Sequence, residues 1–310
     1  MCSSDLEGWE EHVFLSEFKE KWADVDGVRT RYFDEGQGAP IVFIHGGQCG
    51  DASGGESAQD FDLNFTPLSK RYRCVAIDRL GQGFTDLPKR DADYTMAASV
   101  RHATALLRQL NLGAAHLVGH SRGAYVASRI ALDAPELVAS AILVDTASAA
   151  PGEGRNDVVF ACNPHEPGTL ESSRYVYENY SYRRAIVTDE WLAMKQVITD
   201  LQKNRQASRK MHDDGLLAAQ FLPGLVDDRD EMFRRINADG FRRPVLLAWG
   251  YNDPTAPVPM GLRYYDLIAR KTARVSMHIF NEAGHFSYRE RPEEFNRVIA
   301  EFVEGVSHGE

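Results

Sequence analysis

Apolar positions along the chain follow two alternating rhythms. Short unbroken runs occur at Ile41-Val42-Phe43-Ile44, Cys74-Val75-Ala76-Ile77, Ala141-Ile142-Leu143-Val144 and Val245-Leu246-Leu247-Ala248-Trp249, with His116-Leu117-Val118-Gly119 and Val275 to Phe280 as further members. Runs this short, with no polar residue on alternate positions, predict strands covered on both faces. Between them the spacing becomes helical. From Ala97 to Leu110, residues Val100, Leu106, Leu107 and Leu110 share one face, and Ala124 to Asp133 reads the same way. Strands alternating with helices predict βαβ units and a mostly parallel sheet. Near the start, Phe18 to Val25 and Val28 to Asp34 alternate around Asp26-Gly27, which predicts a β-hairpin.

The rhythm stops at Ala147 and resumes after about Asn237. The intervening stretch opens with Pro151, Gly152 and Gly154. It then becomes aromatic-rich and helical, as in Val187 to Leu201 and Glu231 to Ile236, with no strand pattern. Beyond it come the Val245 strand, a helix over Leu262 to Ala269, the Val275 strand and a last helix from Pro292 to Val303. Proline suits the first turn of that helix. The predicted organisation is a core of residues 1–146 and 238–310, with a helical cap at 147–237 inserted after the sixth strand. Such a cap would cover the carboxyl ends of the strands, where open α/β sheets bind ligands.

Composition narrows the function classes. The chain has 310 residues, 43% hydrophobic and 26% charged, with a formal net charge of −10. That excess of acid disfavours nucleic acid as a partner. The charges are interspersed, so they read as a solubility property. Met1 to Glu11 is acidic and lacks the apolar segment of a signal peptide, and no stretch is long and apolar enough to span a membrane. Cys2, Cys49, Cys74 and Cys162 form no Cys-x-x-Cys pair, so a zinc or redox motif has no support. Cys74 is expected in the core, and Cys49 is expected to be an incidental thiol. The expected setting is the cytoplasm, with a small molecule as substrate, no metal and no cofactor. A homodimer is compatible with the sequence.

Gly119-His120-Ser121-Arg122-Gly123 matches Gly-x-Ser-x-Gly, between an apolar strand and a helix rich in small residues. In that context the pattern predicts a sharp turn that exposes the serine hydroxyl, so Ser121 is the candidate nucleophile. The next amide, that of Arg122, sits at a helix N-terminus and can stabilise an oxyanion. His285 follows the last strand and is the candidate base; the order serine, acid, histidine suits this kind of turn. Two aspartates compete as its partner. Asp253 follows the Val245 strand, and Asp145 ends the strand after the nucleophile helix; Asp253 is preferred. His45-Gly46-Gly47 supplies a second glycine turn, with the Gly47 amide as the other oxyanion donor. His45 is expected to shape that loop, and His120 to pack or hydrogen-bond within the elbow. Asp78 to Gly83 lacks the Gly-x-Gly-x-x-Gly spacing of a dinucleotide site and reads as a turn bordering the pocket.

With these pieces in order, the chain resembles the α/β-hydrolase superfamily over nearly its whole length. Within it the chain looks most like the meta-cleavage-product hydrolases, which cut a carbon–carbon bond in vinylogous 1,5-diketone acids. The similarity rests on the glycine-rich run Gly46 to Gly50, on Ile186-Val187-Thr188-Asp189-Glu190-Trp191-Leu192 in the cap, and on Glu294-Phe295-Asn296. There are departures. That family has Asn before the nucleophile where this chain has His120, and two glycines where it has Gly123-Ala124. The family's cap arginine, which holds the substrate carboxylate, corresponds to Lys195, and an aromatic expected after the histidine is replaced near Arg289. The plain reading of Lys195 is a solvated lysine on a cap helix; the resemblance makes it a substrate contact. Gly46, His120, Lys195 and Phe286 are the candidate substrate-binding residues.

The expected activity is hydrolysis of a small ester or lactone through an acyl-enzyme on Ser121. The alternatives are carbon–carbon cleavage of a dienoate ring-fission acid, and a receptor-like or cofactor-free non-hydrolytic member of the fold. A substrate panel and a single-turnover assay separate the three.

Overall fold

The computed structural model describes residues 18–51 and 54–307. The readings of Met1 to Glu11 and Cys2 lie outside the described residues. Eight strands form one sheet: β1 (Lys21–Val25), β2 (Val28–Glu35), β3 (Pro40–Ile44), β4 (Arg73–Ile77), β5 (Ala115–His120), β6 (Val138–Val144), β7 (Val245–Gly250) and β8 (Val275–Phe280). Their spatial order is β1-β2-β4-β3-β5-β6-β7-β8. β1 and β2 form the predicted hairpin, with Asp26 at φ 53° and Gly27 at φ 77°, the left-handed pair that a tight hairpin turn requires. β2 also runs antiparallel to β4, and every pairing from β4 onward is parallel.

The apolar runs serve both sides of the sheet at once. Val42, Ile44, Leu117, Leu143 and Leu247 point into one core. Their immediate neighbours Ile41, Phe43, Val118, Ile142 and Leu246 point into another. Successive side chains of a strand face opposite ways, so a sheet covered on both faces needs apolar residues at consecutive positions. The first core is closed by α2 (Met96–Leu110), α3 (Arg122–Asp133) and α9 (Val258–Ala269), through residues such as Leu106, Ile130 and Tyr264. The second is closed by α1 (Asp62–Leu68) and α11 (Pro292–Ser307), through Phe65, Phe295 and Ile299. A single turn, α10 (Ser287–Glu290), precedes α11.

Between β6 and β7 the chain forms α4 (Asn156–Ala161), α5 (Leu170–Tyr180), α6 (Asp189–Asp200), α7 (Gln202–His212) and α8 (Leu222–Asp239), and no strand. Thr169 caps α5 and Thr188 caps α6, each accepting from an amide of the first turn. Burial ties the insertion to the body. Tyr177, Trp191, Leu192 and Ile198 join the second core, while Met211, Phe221, Met232 and Ile236 join the first. The last insertion helix runs two residues past the predicted end, to Asp239, where Gly240 stops it. Cys49 and Cys74 are buried thiols, each pushed up to about 12 by burial, and Cys162 is exposed.

Candidate active site

β5 ends at His120 and α3 begins at Arg122, so the whole reversal falls on Ser121, at φ 54° and ψ −120°. A non-glycine residue rarely occupies that region, and it persists only where its surroundings hold it. The surroundings here are backbone. Ser121 donates its amide to the Val144 carbonyl at 2.9 Å. A Cβ on Gly123 would lie 2.0 Å from the Ile44 carbonyl oxygen, so α3 meets β3 with no room for any side chain. The elbow predicted from the glycines is therefore present.

His285 lies in the loop between β8 and α10. Its Nδ1 is 2.8 Å from Asp253 Oδ2 and 2.9 Å from Thr255 Oγ1. An ionised carboxylate can only accept, so this contact puts the hydrogen on Nδ1 and leaves Nε2 as the basic nitrogen. Asp253 is itself fixed: its Oδ1 accepts from the Thr255 amide (2.7 Å), the Thr255 hydroxyl (2.9 Å) and the Ala256 amide (3.0 Å). Asp145 does something else. It accepts from the Gly250 amide at 2.6 Å and from the Ser287 amide and hydroxyl at 3.2 and 2.5 Å. It thus ties β7 and α10 together beneath the site. Burial, with the nearby Asp253 charge, raises its carboxyl well above the usual range. Of the two competing aspartates, the one that meets His285 is Asp253.

Both ends of the His285 backbone unit are held. Its amide donates to the Tyr180 carbonyl at 2.8 Å, and its carbonyl accepts from His120 Nε2 at 2.8 Å. Burial, followed by the neighbouring His285, drives the His120 imidazole well below its ordinary pKa, so it is neutral. His120 thus hydrogen-bonds across to the His285 loop and not within the elbow, and it also borders the cavity.

The glycine loop after β3 is organised by residues that the sequence left unassigned. Arg79 Nη1 donates to the carbonyls of His45, Gly46 and Gly47 at 3.2, 3.0 and 3.0 Å, and Gln82 Nε2 donates to Gly46 O at 3.1 Å. The His45 ring accepts from the Arg79 amide at 3.1 Å, as expected of a loop-shaping histidine. Holding the carbonyls on one side leaves the amide edge for a ligand. Gly47 is at φ 70°, and a Cβ there would lie 2.5 Å from Glu56 Cγ. Gly46 passes so close to the elbow that a Cβ would lie 3.0 Å from that of Ser121. Asp78 in the next turn pairs with Arg31 at 2.7 Å and takes the amides of Ala58 and Phe84. It is a structural turn bordering the site.

Ser121, His285, Gly47, Arg122, His120 and Phe286 line one hollow together with Glu56, Tyr177 and Tyr180. A second, adjoining hollow shares Ser121, Arg122 and His285. A larger groove between the ends of α3 and α8, lined by Asp133, Arg235 and Asp239, holds none of the predicted site residues. Phe286 packs against Tyr177 and Trp191, with ring centres 5.4 and 5.3 Å away.

Lys195 is neither solvated nor in the open hollow. Its side chain is fully buried and pairs with Glu56 at 2.9 Å and Asp60 at 2.5 Å. Glu56, which also accepts from the Tyr177 hydroxyl at 2.6 Å, is the group that reaches the cavity wall. The Lys195 charge is spent on the Asp60 carboxylate, with the Glu56 carboxyl beside it, so the expected substrate contact is corrected to an internal ion pair. Burial pushes the Glu56 carboxyl up to about 8 against the attraction of Lys195. Asp60 is also buried, yet Lys195 and the hydrogen bond from Glu56 hold it well below the usual range. Arg289 joins this cluster through Asp62 and the Asp60 carbonyl, with its guanidinium 4.4 Å from the Trp191 ring centre.

The alpha/beta hydrolase family model matches residues 41–298, which contain the elbow, Asp253 and His285. The chain belongs to the alpha/beta hydrolase family. Among curated relatives, it is 27% identical to the 2-hydroxymuconate semialdehyde hydrolase of Pseudomonas sp. (strain CF600), over 89% of this chain and 91% of that one. It is 28% identical to the dihydrolipoyllysine-residue acetyltransferase component of the acetoin cleaving system of Cupriavidus necator, over 92% of this chain and 69% of that one. Among solved structures, a meta-cleavage product hydrolase from Pseudomonas fluorescens IP01 superposes with a TM-score of 0.75 at 26% identity, covering 93% of this chain and 98% of that one. The resemblance to meta-cleavage-product hydrolases therefore extends to overall sequence and shape.

Proposed function

We propose that this hydrolase-family chain cleaves a small organic acyl substrate with Ser121 as nucleophile, His285 as base and Asp253 as the acid that orients it. The observation that carries this reading is the His285–Asp253 pair at 2.8 Å, beside a strained serine on the same cavity wall. In this reading His285 Nε2 takes the Ser121 proton as Oγ bonds to the carbonyl carbon. The amides of Gly47 and Arg122 receive the oxyanion. The carbon–leaving-group bond then breaks, the leaving atom takes the proton from His285, and water releases the acid by the reverse sequence. Thr255 supports Asp253, and His120 fixes the height of the imidazole. The helices of residues 147–237 serve as a lid, since Tyr177 and Tyr180 close the hollow from above.

The substrate class we favour is an ester or lactone, because the cap cation of the ring-cleaving enzymes is here the sequestered Lys195. Carbon–carbon cleavage of a dienoate ring-fission acid is the second reading, favoured by the likeness to the 2-hydroxymuconate semialdehyde hydrolase, 27% identical over 89% of the chain. Purified protein assayed against short esters, lactones and a dienoate ring-fission acid, beside Ser121→Ala, tests both. Ester or lactone turnover that vanishes in Ser121→Ala supports the first. Fast dienoate turnover with no esterase activity replaces it with the second, and turnover that persists in Ser121→Ala defeats both.

A further inference from the structure

The Arg122 side chain carries a charge that the proposed triad does not use. Arg122 lines both hollows that hold Ser121 and His285. Its Nε is buried with no hydrogen-bond partner. Among the described residues it forms no ion pair; the nearest aromatic ring is Phe221, 5.5 Å from the guanidinium carbon. The buried cations around the site each have a charged or carbonyl partner. Lys195 has Glu56 and Asp60, Arg79 has the loop carbonyls, and Arg289 has Asp62. Burial lowers the Arg122 pKa, and the Asp51 charge opposes this. Arg122 is half-buried, and a partly desolvated charge without a counter-ion is costly unless a ligand supplies the missing partner. A guanidinium offers two parallel donors matched to a carboxylate.

We propose that the Arg122 guanidinium binds a carboxylate carried by the substrate, so that the preferred substrates are acyl compounds with an anionic group close to the scissile carbonyl. This moves anion recognition from the cap, where Lys195 is locked away, to the first residue of the nucleophile helix. Arg122 then acts twice, its amide on the oxyanion and its side chain on the distal anion. Glu56 does not cancel the attraction, because it is hydrogen-bonded to Lys195 and Tyr177 and burial favours its protonated form. The inference rests on the proposed role of Ser121 and applies to either bond type. The carboxylate can belong to the acyl portion or to the leaving group, since Arg122 borders both hollows.

Two matched ester pairs test it. On the acyl side, mono-4-nitrophenyl glutarate is compared with 4-nitrophenyl butyrate; on the leaving side, 4-acetoxybenzoate with phenyl acetate. We expect the wild type to favour the anionic member of at least one pair by about tenfold or more in kcat/KM. Arg122→Gln should collapse that ratio, and Arg122→Lys should restore part of it, since a lysine keeps the charge without the fork. Calorimetric binding of glutarate to Ser121→Ala, with and without Arg122→Gln, reads the same contact without turnover. A loss of about tenfold or more in affinity is expected. Ratios near one in both pairs, ratios unmoved by Arg122→Gln, or glutarate binding that is absent or insensitive to Arg122 would overturn the proposal. If no ester is turned over, the hydrolytic reading fails and the glutarate arm still decides this one.

Discussion

His120 Nε2 donates to the carbonyl oxygen of His285 at 2.8 Å, so the residue before the nucleophile fixes the backbone of the proposed base. The two lie 165 positions apart in sequence. Their rings lie 4.8 Å apart between centres, and a neutral imidazole at 120 adds no charge beside the one that must form at 285 during catalysis.

Replacing His120 by Phe should therefore impair geometry more than binding. It strands a buried carbonyl, at a cost of about 1–3 kcal/mol. We expect kcat to fall by roughly tenfold or more with KM little changed, and His120→Asn, which restores a donor, to recover part of it. A change confined to KM would assign His120 to substrate contact alone.

The aspartates should separate cleanly. Asp253→Asn removes the acceptor that sets the His285 tautomer, so turnover should fall by about 10³–10⁴. Asp145→Asn keeps an acceptor for the Gly250 amide and touches no part of the imidazole; its main effect should be a lower melting temperature, with turnover lost by less than about tenfold. Steady-state rates and thermal melts of the two variants check this, and the reverse pattern would return the acid role to Asp145.

These two variants also mark how far the sequence could be read. The central parallel strands β3, β4, β6 and β7 each carry an unbroken apolar run, so the parallel sheet was legible, and the glycines around Ser121 announced the elbow because backbone contacts such as Gly123 against Ile44 forbid side chains. What sequence spacing could not supply was partnership. Lys195 looked solvated because Glu56, 139 positions away, gives no periodic signal on its helix. Arg79 and Thr255 were missed for related reasons. Arg79 works through carbonyls, which carry no residue identity. Thr255 sits in an Asp-Pro-Thr turn whose chemistry, an aspartate accepting from the amide two residues on, was available but not used.

Arg79→Met should disorder the glycine loop by leaving the carbonyls of residues 45–47 without their shared donor. The oxyanion amides then lose their aim, and kcat should drop by about 10²-fold, comparable to removal of an oxyanion donor. Affinity for a boronic-acid mimic of the tetrahedral state should weaken in parallel. Unchanged kcat would mean that the loop holds its shape without Arg79.

Stability should depend on pH through Glu56. Its folded-state pKa is raised from 4.5 to about 8, so the folded chain holds a proton that the unfolded chain has released. The contribution is complete below about 4.5 and is lost as pH rises through about 8, with a slope of at most ~1.4 kcal/mol per pH unit. Asp60, shifted downward, acts only below this window. Urea unfolding at several pH values between 5 and 8 should show the wild type losing stability relative to Glu56→Gln as pH rises, since the buried histidines 45, 102, 116 and 120, which burial holds below their ordinary pKa and which favour the folded state as pH rises, act equally in both. Equal slopes would contradict the assignment of the proton to Glu56.

The central claim is that Ser121 is activated by His285. Intact-mass measurement of adduct formation with a fluorophosphonate, on the folded wild type, Ser121→Ala and His285→Gln, tests it most directly. A single adduct on Ser121, absent in Ser121→Ala and slowed by orders of magnitude in His285→Gln, is the predicted result. A folded wild type that takes up no label, or one labelled at the same rate without His285, would contradict it.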